Sequence, residues 1–291
     1  MQTPVTFESD GLKLSGVLHR PDGMAAGEKR PAFLVLHGFG TSKNGGTPII
    51  ISEMLESWGY AALRFDFRGC GDSEGEHGRV LCLDQVSDTS NALSWLAGQD
   101  GIDPARIGAI GHSFGAAVAV YTGGVDKRVA AVISSCGWGD GERKFRGQHA
   151  SPEAWAKFSG MLEEAPKYKA RTGKSLMVPR WDIVPIPEHL RGNMAVDAIL
   201  EFPAETPQSM MDFVADDVVG DIAPRPLLLF HAANDSVTPT EQSLEMFKRA
   251  GQPTDLMLVS DVDHFPFSVG NTRVRDGVKA WLDRYFPATA A

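Results

Sequence analysis

The alternation of apolar segments between residues 31 and 136 constrains the fold of this 291-residue chain more than any other feature. Short, continuously apolar runs alternate there with stretches of helical periodicity. The runs are 31–37, 60–65, 106–110 and 129–134, and the helical stretches are 47–58, 81–97 and the segment from 116. Continuously apolar strands between helices predict an α/β protein with a mostly parallel, twisted sheet and helices on both faces. Asp10-Gly11 lies between two β-like runs and predicts an N-terminal antiparallel hairpin.

This alternation stops at Gly137 and resumes only after Gly220, with strands at 226–231 and 255–259. The interval holds three of the six tryptophans and five of the ten methionines, but no apolar strand pattern. An insertion of this length usually covers an active site. We therefore predict a core domain of residues 1–136 and 221–291, and an inserted helical lid of residues 137–220.

The pentapeptide Gly111-His112-Ser113-Phe114-Gly115 lies between a predicted strand and a predicted helix. Small residues two positions before and after Ser113 allow the backbone to reverse sharply there, which would lift the hydroxyl clear of the sheet. The pattern predicts a nucleophile elbow with Ser113 as the nucleophile. The alternative is an ordinary turn serine, which would need no partners elsewhere in the chain.

Two side chains that follow the last two strands could activate this serine. Asp235 and His264 each lie just beyond a strand, and the carboxyl ends of parallel strands gather at one edge of the sheet. The chain order Ser, Asp, His is the order found with nucleophile elbows. We therefore predict His264 as the base and Asp235 as the acid that orients it. Asp235 could instead cap the next helix, and Asp140, after strand 129–134, is the alternative acid.

Acyl transfer also needs donors for the oxyanion, and two backbone amides are in suitable places. Phe114 directly follows the serine, and Phe39 lies between two glycines after the strand 31–37. In the insert, large apolar side chains are expected to line an acyl or aryl pocket or, alternatively, to form the insert's own core. The substrate-binding candidates are Trp138, Phe145, Trp181 and Met210. The basic residues Arg143, Lys144 and Arg146 are expected to form a solvated face, and the alternative is that they attract an anionic group of the substrate.

Three motifs together resemble the cinnamoyl/feruloyl esterases and their bacterial carboxylesterase relatives. They are His37-Gly38-Phe39, the segment 63–75 (LRFDFRGCGDSEG) and Gly111-His112-Ser113. The resemblance extends over nearly the whole chain and implies an α/β-hydrolase fold. It also implies a triad of Ser113, Asp235 and His264, with Phe39 and Phe114 as oxyanion donors. Two departures are Cys70, where these esterases usually have histidine or another residue, and the longer insert.

Composition narrows the classes of function. The net charge of −9 disfavours nucleic acid and anionic membranes as partners. The chain has no apolar run of about 18 residues, so no membrane span is predicted. The three cysteines are scattered and lack the spacing of metal ligands, so no metal site is predicted. We expect a cytoplasmic serine carboxylesterase that needs no cofactor and cleaves a small ester with an apolar or aromatic moiety. Its partners would be that ester and at most a second copy in a homodimer. An amidase or oligopeptidase with the same triad, and a non-catalytic binding protein, are the alternatives.

Overall fold

The computed structural model describes residues 1–25, 27–267 and 271–289. Ten strands are present in these ranges. In chain order they are β1 (Gln2–Ser9), β2 (Leu12–His19), β3 (Arg30–Leu36), β4 (Ala61–Phe65), β5 (Ile102–His112), β6 (Val129–Ser135), β7 (Met177–Pro179), β8 (Glu201–Pro203), β9 (Leu227–Ala232) and β10 (Thr254–Val259). Eight of them form one sheet in the order β1-β2-β4-β3-β5-β6-β9-β10. The β1–β2 and β2–β4 pairs are antiparallel and the other pairs are parallel. The predicted fold class is confirmed.

Helices cover both faces of this sheet. The α-helices are α1 (Gly46–Ser57), α2 (Cys82–Ala97), α3 (Phe114–Val125), α4 (Gly141–Gln148), α5 (Pro152–Thr172), α6 (Arg180–Ile183), α7 (Glu205–Met211), α8 (Glu241–Arg249) and α9 (Thr272–Tyr285). Side chains of a strand alternate between faces, and β3 shows the result. Leu34 belongs to the apolar cluster that includes residues of α2 and α3, whereas Phe33 and Val35 belong to the cluster with α1 and α9. The continuous apolar run of β3 is therefore explained by burial on both sides.

The long insertion leaves the sheet between two strands that are direct neighbours. Parallel pairing of β6 with β9 brings Val132 opposite Leu227, so everything between these strands stands outside the sheet. It contains α4 to α7 and a small antiparallel pair of β7 and β8. These two strands have three residues each, too few to produce a recognisable apolar pattern in the sequence. None of the helices in the described ranges is long and apolar enough to cross a bilayer.

Candidate active site

Ser113 occupies a strained turn between β5 and α3. Its φ of 56° and ψ of −116° lie in a region that residues with side chains rarely adopt. A Cβ at Gly111 would overlap the backbone of Gly115, and a Cβ at Gly115 would overlap the backbone carbonyl of Leu36. The two glycines therefore permit the turn. The Ser113 amide donates to the Ser135 carbonyl at 2.8 Å, which ties the turn to β6.

His264 connects this serine to Asp235 through hydrogen bonds. The Ser113 Oγ lies 2.9 Å from His264 Nε2, and His264 Nδ1 lies 3.0 and 2.9 Å from the two carboxylate oxygens of Asp235. The side chains of His264 and Asp235 are almost completely buried. Burial alone would raise the pKa of Asp235, but the charge of His264 and the hydrogen bonds from His231 and His264 hold it well below its usual range. The carboxylate is therefore ionised and can stabilise an imidazolium.

The alternative acid, Asp140, has a different task. Its carboxylate accepts a hydrogen bond from the Arg143 amide at 2.7 Å and caps the N-terminus of α4. Asp235 also accepts backbone amides, from Val237 at 2.8 Å and Thr238 at 2.7 Å, but these fix its own loop rather than the start of α8. The structure therefore brings Asp235, and not Asp140, to the histidine.

Phe39 and Phe114 lie close to each other beside Ser113. Their ring centroids are 6.0 Å apart, and Gly38, Phe39 and Ser113 line one pocket. Within the part of the chain that the structure describes, neither backbone amide has a protein acceptor. His37 steadies this loop, because its Nδ1 donates to the Gly38 carbonyl at 2.8 Å and its Nε2 accepts from the Phe67 amide at 3.2 Å. Both predicted oxyanion donors are thus adjacent to the nucleophile.

The pocket around Ser113 is small, with a volume of about 50 Å³. Its floor comes from the core, and its roof comes from the insert, chiefly Val184, Ile186 and Met194. Apart from the histidines, Arg180 is the one ionisable side chain among the described residues that line it. A larger cavity of about 750 Å³ lies between α2, α5 and α7, but it contains none of the Ser–His–Asp residues. We therefore take the small pocket as the candidate active site.

The four apolar residues that the sequence suggested for substrate binding lie elsewhere. Trp138, Phe145 and Met210 are buried in the insert's contact with the core, and Trp181 is half-buried outside the pocket wall. Phe145 packs on Phe158 with centroids 4.5 Å apart. Large apolar side chains in an insert of this size are needed for its own core, which explains their position. Two roof residues that the sequence did not suggest, Val184 and Ile186, lie in the run 178–187, whose repeated prolines were their only signal. Met194 was among the large apolar residues of the insert expected to line a pocket.

A metal ion is a poor fit to this site. Ligand atoms of Cys136, Asp235 and His264 lie within 4.8 Å of one another. However, burial raises the pKa of the Cys136 thiol well above its usual range, so the sulfur remains protonated. A protonated thiol is a weak metal ligand, and the other two groups are already hydrogen-bonded to each other.

Comparisons with known proteins agree with this fold. A family model described as X-Pro dipeptidyl-peptidase (S15 family) matches residues 10–266. The chain is 27% identical over 284 residues to thiohydrolase aneE of Aspergillus aculeatus, covering 90% of this chain and 86% of the relative. The α/β hydrolase GrgF from Penicillium superimposes with a TM-score of 0.81 at 21% identity, covering 98% and 99% of the two chains.

A structure with ferulic acid bound is also among the similar folds. Est1E from Butyrivibrio proteoclasticus with bound ferulic acid has a TM-score of 0.69 at 19% identity, covering 97% of this chain and 98% of its own. At this identity the likeness establishes the fold alone. The resemblance to esterases of the α/β-hydrolase fold, first seen in three sequence motifs, is confirmed at that level.

Proposed function

The chain belongs to the X-Pro dipeptidyl-peptidase (S15) family, and from this membership and the site geometry we propose that it is a serine carboxylesterase. In this proposal it cleaves a small ester with an apolar or aromatic moiety through an acyl-enzyme intermediate. The observation that carries the proposal is the unbroken hydrogen-bonded chain from Ser113 through His264 to Asp235. A serine hydroxyl is a weak nucleophile until an oriented base takes its proton, and this chain of contacts provides that base.

The proposed reaction uses each of these groups in turn. His264 Nε2 accepts the Ser113 proton while Oγ attacks the ester carbonyl, and Asp235 stabilises the resulting imidazolium. The amides of Phe39 and Phe114 bind the oxyanion. His264 then gives its proton to the departing alcohol. Water, deprotonated by the same histidine, attacks the acyl-enzyme and releases the carboxylic acid.

The size and lining of the pocket favour a short acyl group. A volume of about 50 Å³ holds about four water-sized positions, whereas typical pockets for larger ligands measure about 300–1,000 Å³. Acyl groups of about two to four carbons fit beneath Val184, Ile186 and Met194 without displacement of the insert. The alcohol or aryl moiety would then lie toward the opening, and larger acyl groups would require the roof to move.

The family name supports a second candidate, a peptidase with the same triad. A dipeptidyl-peptidase must recognise the free α-ammonium of its substrate, which calls for a carboxylate in the pocket. Among the described residues that line the pocket there is no such carboxylate. The wall instead carries the cation Arg180. This charge pattern favours a neutral ester over a peptide with a free amino terminus.

A panel of chromogenic substrates tests the proposal. We would compare p-nitrophenyl esters from acetate to octanoate, an acyl thioester, and Ala-Pro p-nitroanilide, and would also measure labelling by a fluorophosphonate probe. Wild type and Ser94→Ala, which alters an exposed serine of α2, should react with the probe and favour the short esters. Ser113→Ala should do neither. Faster cleavage of the anilide than of the esters would establish the peptidase, and labelling of Ser113→Ala would exclude this nucleophile.

A further inference from the structure

Arg180 reaches from the insert to the loop that follows β3. It is the first residue of α6, and its side chain is buried, with 2% exposure. Its guanidinium donates to three backbone carbonyls, those of Phe39, Gly40 (3.3 Å) and Ile199 (2.8 Å). Phe39 is one of the two proposed oxyanion donors. A residue of the insert is therefore bonded to the carbonyl of the same residue whose amide is the proposed donor, and it holds the peptide unit that directly follows that amide.

The charge of Arg180 is not balanced by a neighbouring acid. Among the residues that the structure describes, no carboxylate lies within ion-pair distance of it. Aromatic rings flank it instead, with the guanidinium carbon 5.1 Å from the Phe39 centroid and 5.8 Å from that of Phe202. Burial lowers its pKa to about 10, so it remains cationic at neutral pH. An unpaired buried cation opposes folding, so stability alone does not account for this arginine.

Further contacts fix the insert against the same loop. The Ile199 amide donates to the Gly40 carbonyl at 2.9 Å, and the Phe39 and Phe202 rings stack with centroids 4.3 Å apart. Gly40 has a φ of +49°, and a Cβ at this position would overlap the Phe202 ring. The loop and the insert therefore fit together only in a narrow range of positions.

We propose that Arg180 is a positioning residue for the oxyanion hole. Through its hydrogen bonds, the position of the insert on the core controls the orientation of the Phe39 amide. This inference rests on the proposed function, because it assigns an oxyanion role to Phe39. A guanidinium binds several carbonyls at fixed angles, which an ammonium cannot reproduce. Misplacement of a catalytic group by about 1 Å can reduce the rate by about 100-fold. Loss of the hydrogen bonds from the Arg180 guanidinium should therefore reduce kcat with little change in KM.

The test compares Arg180→Lys and Arg180→Gln with a matched control. The control is Arg146→Gln, since Arg146 is an exposed insert arginine that also stacks on a tryptophan, Trp155, at 4.1 Å. We would measure kcat and KM on the preferred ester, with the active fraction counted by fluorophosphonate titration. The affinity for a trifluoromethyl ketone, which mimics the tetrahedral intermediate, would be compared with the affinity for the product acid.

Both Arg180 variants should lose about 10- to 100-fold in kcat, with KM within about threefold. Affinity for the trifluoromethyl ketone should fall in parallel while product affinity is unchanged, and Arg146→Gln should match wild type. A purely structural role would instead reduce the active fraction and leave the constants of the active molecules unchanged, which would overturn the proposal. If Arg180→Gln does not fold, Arg180→Lys decides the question. Wild type without Ser113-dependent hydrolysis would overturn the proposed function itself, and this inference with it.

Discussion

Replacement of Lys144 with methionine should stabilise the protein. The sequence placed this lysine on a solvated face, but its side chain is buried at 2% exposure, and its ammonium has no hydrogen-bond partner among the described residues. The nitrogen lies 3.8 Å from the Phe145 centroid and 5.5 Å from that of Trp138. Desolvation lowers its pKa from 10.5 to about 7. The folded state therefore disfavours the protonated form of Lys144, whereas the unfolded chain keeps this lysine protonated at neutral pH.

The magnitude follows from this difference in pKa. One pKa unit corresponds to about 1.4 kcal/mol, so the free energy of unfolding is reduced by about 4 kcal/mol at pH 7 and about 2 kcal/mol at pH 9. Cation–π contacts with the two rings offset about 1–2 kcal/mol of this. The unfolded state binds more protons between pH 7 and 10.5, so this contribution to stability improves as the pH rises. Lys144→Met should thus be about 3 kcal/mol more stable than wild type at pH 7, with the advantage shrinking by at least about 1 kcal/mol at pH 9.

Equilibrium urea unfolding, followed by tryptophan fluorescence at pH 7 and pH 9, measures both quantities. The Cys82 thiol near Lys144 does not contribute to the pH dependence between pH 7 and pH 9, because burial raises its pKa to about 12. Lys157→Met is the control, since Lys157 is an exposed lysine of the same insert, and it should show no such pH dependence. The reasoning is refuted if Lys144→Met is no more stable than wild type at pH 7 and the difference does not change with pH.

Two further pairs of substitutions test the choice of acid and the fit of the insert against the loop after β3. Asp235→Asn should reduce kcat by about 10³–10⁴-fold, while Asp140→Asn, which retains a good helix cap, should stay within about twofold in the same ester assay; the reverse result would move the acid to Asp140. Gly40→Ala should lower the free energy of unfolding by about 2–4 kcal/mol, because it adds a left-handed alanine and an overlap with the Phe202 ring. Gly160→Ala, in the middle of α5 with open space around it, should instead stabilise by about 0.5–1 kcal/mol; equal effects of the two in urea unfolding would contradict the steric argument.

The features that could be predicted from the sequence were those with local causes. Gly111 and Gly115 are required by the turn that they flank, so the elbow could be located from five adjacent letters. Asp235 and His264 were found because the topology of a parallel sheet places the ends of strands together. In these cases a short pattern and a general rule of sheet architecture were sufficient.

The features that could not be predicted depend on distant partners. Arg180 and Lys144 are charged residues, and in a sequence a charge indicates a surface position. Arg180 is buried because carbonyls 140 positions away along the chain accept its hydrogen bonds. Lys144 is buried because its helix, α4, packs against α7 in the contact between the insert and the core, which encloses the lysine together with Trp138 and Phe145. No local pattern carries that information, and Val184 and Ile186 of the pocket roof were missed for the same reason.

The exit and return of the insert at adjacent strands has a consequence for how such enzymes diversify. The Cys136 amide bonds to the Phe230 carbonyl at 2.8 Å, and the Val132 amide bonds to Pro226 at 3.0 Å, so the sheet closes directly beneath the insertion. Because the entropy of loop closure grows slowly with length, segments of very different size can be exchanged at this point. Such an exchange would leave the backbone positions of Ser113 and His264 unaltered. A lineage could therefore acquire a new substrate in one recombination event, provided that the incoming segment again supplies a donor to the carbonyls of Phe39 and Gly40.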